Sequence, residues 1–298
     1  MKLSQKISIA LIGAVAISAI AQPTPVWAIC AHVQSSLVLT QTKAEDFLIL
    51  GEAKYKKGDY QGAIQAFSQA IVLNPNYAEA YNNRGSARRT LGNSQGAVAD
   101  YNQALRINPN YAEAYNNRGN ARSQLGDKQG ALADFNQALR INPNLSFAYN
   151  NRGIARRALG DKQGALADFN QALRINPNLE AAYNNRGIAR SELGDKKGAV
   201  ADYNQALRIN PKYAEAYTNR GEARFGLGDK QGALADFNQA LRINPNLAPG
   251  YYNRGEARSE LGDKQGAIQD FQKAANLFQK QGDKNNYEKA INFLRRLQ

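Results

Sequence analysis

Cysteine, histidine, tryptophan and methionine each occur once in the 298 residues. Cys30, His32 and Trp27 all fall before position 33, so the chain from Ala44 onward has neither thiol nor imidazole. That excludes disulfides, thiolate or imidazole zinc sites, and Cys or His nucleophiles from the body of the protein. Catalysis there would rest on carboxylates alone, such as Glu222 and Glu256, and nothing marks a pocket around them. A non-enzymatic protein without cofactor or metal is expected.

Long apolar runs are equally scarce. The one present, Ile7 to Ala21, follows Lys2 and Lys6 and holds 15 apolar or small residues. A membrane span needs about 20, whereas the core of a signal peptide needs fewer. Pro23 and Pro25 follow, and Val26-Trp27-Ala28 places small residues before a cut. Residues 1–28 therefore read as a signal peptide cleaved after Ala28, with Ala21 as the second choice. Ile29 stands where lipidation of Cys30 would need a small residue. Export to a periplasm, the exterior or, in a photosynthetic source, a thylakoid lumen is expected. Residues 29–43 read as a linker or N-terminal cap.

What is abundant is repetition. From Ala44 to Gln281 the chain is seven units of 34 residues without a gap, at 44–77, 78–111, 112–145, 146–179, 180–213, 214–247 and 248–281. A period of this length is the mark of a solenoid. The third unit reads AEAYNNRGNARSQLGDKQGALADFNQALRINPNY. Gly126 ends a first helix, Asp127 caps a second, and Asn142-Pro143-Asn144 stops it. Small residues Gly119, Ala131 and Ala138 let the two helices approach. Proline is missing from the end of the last unit, where Gln279 follows Phe278, so its helix can continue. After Gly282, an apolar stripe of Tyr287, Ala290, Ile291, Leu294 and Leu297 predicts a capping helix over 282–298.

Tyr115, Gly119, Ala131, Phe135, Ala138 and Pro143 stand at the signature positions of the tetratricopeptide repeat (TPR), and the pattern recurs seven times. The chain thus resembles the TPR family. The resemblance implies an all-α fold, a right-handed α-solenoid of antiparallel helix pairs whose first helices line a concave face. It also implies a scaffold that binds another protein.

Position in the unit then decides where charge goes. At 100° per residue, positions 2, 5, 6, 9, 12 and 13 share one side of the first helix, and positions 4, 7 and 11 lie opposite. Six units carry Arg at position 7 (Arg84, Arg118, Arg152, Arg186, Arg220, Arg254) and Asp at position 23 (Asp100 to Asp270 at intervals of 34). The first unit has Leu50 and Ala66 instead, both apolar, which predicts an Arg–Asp contact between helix layers. The net charge of +13 is therefore not a groove property. Groove positions hold nine acidic residues, Glu45, Glu52, Glu79, Glu113, Glu192, Glu215, Glu222, Glu256 and Glu260, against Lys56, Arg89 and Arg157. Phosphate-binding grooves are basic, so nucleic acid is not expected there. Leu48, Glu52 and Glu113 occupy places where carboxylate-clamp TPR domains need Lys and Arg.

Position 6 is Asn in six successive units: Asn83, Asn117, Asn151, Asn185, Asn219 and Asn253. Side-chain amides can satisfy an extended peptide backbone without reading its sequence. The row is similar to the asparagine ladder of the repeat domain in O-linked N-acetylglucosamine transferase. Asn82, Asn116, Asn150 and Asn184 add a second row. Alternatively, these amides bond only neighbouring helices. Phe147, Ile154 and Ile188 make the centre of the face apolar and are the expected anchors for a peptide. The other reading of Phe147 is packing against Leu145. Electrostatic attachment of the basic outer face to an anionic membrane or polymer is the alternative function, and self-association through the apolar turn Phe47–Leu50 is a further one.

Overall fold

The computed structural model describes residues 43–297. The expected signal peptide, and all of the segment 29–43 except Lys43, lie outside the described residues. Fifteen α-helices follow one another and no strand intervenes among the described residues. The first helices of the units are α1 (Ala44–Lys56), α3 (Ala78–Thr90), α5 (Ala112–Gln124), α7 (Ser146–Ala158), α9 (Glu180–Glu192), α11 (Ala214–Phe225) and α13 (Ala248–Glu260). The second helices are α2 (Tyr60–Leu73), α4 (Ser94–Ile107), α6 (Lys128–Ile141), α8 (Lys162–Ile175), α10 (Lys196–Ile209), α12 (Lys230–Ile243) and α14 (Lys264–Lys280). A last helix, α15 (Lys284–Leu297), packs on α14.

Punctuation falls where the residues require it. Gly126 has φ of 86°, a left-handed backbone that glycine adopts without steric cost, and this closes α5. Asp127 then caps α6 by accepting the Gly130 N–H at 2.8 Å. At the far end Asn142 leaves the helix in an extended conformation, and its side chain accepts the Asn144 N–H at 3.0 Å across Pro143. Gln279, one residue after Phe278, is the position where six units have proline; both lie inside α14, which runs to Lys280.

Within a unit the helices touch over alanine and glycine. A Cβ at Gly119 would lie 2.7 Å from the Phe135 ring, so only glycine lets that buried aromatic reach the first helix. Successive first helices also pack on one another, while successive second helices are held further apart. The stack therefore curves with the first helices on its inner side, as the resemblance implies.

The arginine–aspartate contact is present in all six units that carry the pair. Arg118 donates from Nε and Nη2 to the two carboxylate oxygens of Asp134, at 2.9 and 2.6 Å. Its Nη1 reaches back to Asn102 of the preceding unit at 2.8 Å, and its guanidinium lies 5.3 Å from the Tyr115 ring. Arg122, four residues on, donates to the same aspartate at 2.9 Å. Asp134 is only 3% exposed, and two guanidinium groups offset the cost of its burial. Spacing alone had placed Arg122 and its equivalents on this side without showing them to be second partners. In the first unit Leu50 and Ala66 remove acid and base together; Arg84 of the second unit turns its Nη1 to Ser68 instead.

Candidate peptide-binding groove

The sixth-position asparagines lie half-buried on the inner face, and the structure brings four of the six to the fifth-position asparagine of the unit before. Asn117, Asn151, Asn185 and Asn219 donate to Asn82, Asn116, Asn150 and Asn184 at 2.9–3.0 Å. Within a unit, Asn82, Asn116 and Asn150 donate to Asn83, Asn117 and Asn151 at 3.1–3.4 Å. Asn83 has Leu48 where its partner would be and donates to Glu52 Oε1 at 3.3 Å. All of these links except Asn219 to Asn184 join into one chain. It runs from Asn185 through Asn150, Asn151, Asn116, Asn117, Asn82 and Asn83 to Glu52, every amide donating in the same sense. Such chains polarise each link, and they leave no buried amide unsatisfied.

The amides do bond neighbouring helices, and Asn82, Asn150 and Asn184 are buried between units rather than forming a second groove row. Each sixth-position Nδ2 from Asn83 to Asn219, however, spends one hydrogen on its neighbour and carries a second. The row stops toward the C-terminal end, where Thr218 and Tyr252 replace the fifth-position asparagine. Opposite Asn253 stands Thr218, whose hydroxyl is turned to the Ala214 carbonyl.

The three expected apolar anchors separate. Phe147 is 59% exposed and lines a recess of about 350 Å3 with Leu145, Asn117 and Asn151. It shares that recess with Leu145 while keeping most of its side chain open. Ile154 and Ile188 are half-buried and pack on the inter-unit clusters around Phe169 and Tyr203. They are supports of the groove floor as much as part of its surface. Position 34, outside the groove set derived from the helix wheel, contributes too. It is Tyr77, Tyr111 and Tyr213 before units with Glu at position 2, and Leu145 and Leu179 before Phe147 and Ala181. The inner face is thus apolar in its middle on two positions at once.

Electrostatics sharpen the ends. Arg157 is paired with Glu192 at 3.0 Å, and Glu260 with Lys230 at 2.9 Å. Glu222 and Glu256 sit one unit apart. Loss of water between the groove walls raises both carboxyl pKa values, although Glu222 keeps part of its own surface open; Lys196 opposes the rise at Glu222, and Glu222 and Glu260 add to it at Glu256. At the other end, burial and then Glu79, Glu113 and Glu52 push the Tyr111 phenol up to about 12. No group of three or more His, Cys, Asp or Glu side chains is placed to hold a metal ion among the described residues.

Comparison with known proteins agrees with this architecture. Models described as TPR repeat match residues 51–92, 85–126 and 189–228. Those described as tetratricopeptide repeat match 112–145, 146–179, 214–247 and 248–281. No curated protein matches the sequence. Among solved structures, a tetratricopeptide repeat protein from Parabacteroides merdae superposes with a TM-score of 0.65 at 24% identity, covering 83% of this chain and 98% of its own. The APC/C heterotetramer Cut9–Hcn1 gives 0.69 at 20% identity over 76% of this chain, which spans only 45% of the matched chain. YrrB, described as a TPR protein with an unusual peptide-binding site, gives 0.50 at 24% identity over 63% of this chain and 96% of its own. TPR proteins are in general non-catalytic scaffolds that bind protein partners. With family models covering most of its length, the chain belongs to the tetratricopeptide repeat family.

Proposed function

We propose that this protein is an exported scaffold whose inner face holds an extended peptide segment of a partner protein. The carrying observation is the row of half-buried sixth-position amides, each with a spare N–H, running past an exposed Phe147. A strand laid along the row gives its carbonyls to those N–H groups, and an apolar side chain settles against Phe147, Leu145 and the flanks of Ile154 and Ile188. An apolar centre between polar ends is where binding energy concentrates. The alternative of attachment through the basic outer face is weakened, because the arginines of positions 7 and 11 are spent on buried aspartates.

Phe147→Ser is the informative variant, since its ring is mostly exposed, whereas Ser at Ile154 or Ile188 would also loosen the inter-unit clusters. Against a library of capped peptides drawn from exported proteins, Phe147→Ser is expected to weaken the selected binders about tenfold at an unchanged melting temperature. Equal affinity in the variant would refute the central anchor. Export is tested separately. The chain purified from a periplasmic or luminal extract is expected to begin at Ile29 by intact mass, and one beginning at Met1 would contradict it.

A further inference from the structure

At the N-terminal end of the inner face, α1, α3 and α5 enclose a recess of about 440 Å3. Its floor is polar and apolar side by side, with Phe67 1% and Asn82 6% exposed. The rings of Tyr55 and Tyr111 line it, and Glu52 and Glu113 bring carboxylates to it from different helices. We propose that this recess is a binding site for one cationic side chain, lysine or arginine, of the bound peptide. The assignment rests on the reading of the inner face as the binding face, and it gives the peptide a direction.

Three features of the recess favour an organic cation. Glu52 ends the amide chain but takes only one long hydrogen bond, 3.3 Å from Asn83, so most of its acceptor capacity is unused. Glu113 is exposed and reaches the recess from α5. Aromatic rings beside two carboxylates suit an ammonium or guanidinium group, which gains from ring faces as well as from charge. The field in the recess agrees, since it is Glu79, Glu113 and Glu52 that add to burial in raising the Tyr111 phenol. Lys56, at the exposed end of α1, also lines the recess and leaves the two carboxylates only partly balanced. A metal ion is disfavoured because no third acidic or imidazole ligand is placed to join them among the described residues. The neighbouring recess at Phe147 shares Glu113 and Asn117 with this one but has Leu145 where this one has Tyr111 and lacks Glu52.

The test uses the full chain with tyrosine rings labelled for carbon–proton correlation spectra, and the Tyr55 and Tyr111 signals assigned with Tyr55→Phe and Tyr111→Phe. The probes are Nα-acetyl-lysine amide, Nα-acetyl-arginine amide and Nα-acetyl-norleucine amide. Both cationic probes are expected to shift the Tyr55 and Tyr111 signals saturably, and norleucine amide to leave them in place. In Glu52→Gln/Glu113→Gln the apparent Kd should rise about tenfold or more, with the remaining tyrosine signals unmoved as the check on folding. No saturable shift, equal shifts with norleucine amide, or full affinity in the double variant each overturn the proposal. Single capped residues do not span the amide row. A recess that titrates while Phe147→Ser leaves peptide selection untouched therefore separates failure of the groove reading from failure of this one.

Discussion

Asp134 and its five equivalents carry a cost that only their arginines offset. Replacing Asp134 by Ala leaves Arg118 without its main partner and Arg122 with the Gly130 carbonyl at 3.4 Å and a looser contact to Asp127 at 3.8 Å. A loss of about 3–5 kcal/mol is expected in denaturant unfolding. Arg118→Leu/Asp134→Ala copies the Leu50 and Ala66 of the first unit and should lose no more than about half of that; an additive result would show that the pair is not a unit. Glu256 makes the opposite case. Its pKa is raised above 4.5 by loss of water and by Glu222 and Glu260. Between 4.5 and the raised value the folded state holds more protons than the unfolded one, so its contribution to stability falls as pH rises through that window. Glu256→Gln should therefore melt higher than wild type at pH 7, with the gain vanishing below about pH 4; a pH-independent difference would contradict this. The arginine–aspartate pairing was legible from the one unit that lacks it. The role of Arg122 was not, because a helix wheel gives a side and not a reach. The packing of Ile154 and Ile188 on the clusters around Phe169 and Tyr203 was not legible for a related reason. Their position on the wheel faces inward, but the tilt between units turns them half into the next interface.

At the level of helices, boundaries followed from short-range chemistry. Gly, Asp and Asn-Pro-Asn recur at one spacing, and every first helix from α1 to α13 begins at the expected residue of its unit. The cap was legible as a stripe, but its strongest contact was missed. Phe293 stacks on Phe271 at 4.9 Å and meets Tyr252 edge-on at 5.7 Å. It falls one position outside the apolar stripe, and its partners belong to the last unit, which no local pattern connects to the tail. The amide chain was half legible. Two rows of asparagine were plain, but that residue 117 reaches residue 82 depends on how one hairpin is set upon another, a property of the stack.

The molecule as a whole is a line of units, each braced by its neighbours, so cooperativity should be breakable in the middle. A Cβ at Gly153 would lie 2.6 Å from the Phe169 ring. Gly153→Val is expected to cost about 3 kcal/mol there and to split one calorimetric transition into two, the flanking arrays melting apart; a single transition shifted as a block would show that cooperativity spans the break. The amide chain gives the line a further property. Its links all point one way, like the bonds of a polymer with one initiator, and Glu52 is that single end. Duplicating an internal unit would add two links and create no new terminus, so the array could lengthen without inventing another acceptor. What would have to be kept is only the start at Asn185, and a chain so built can change the span of its groove far more readily than its direction.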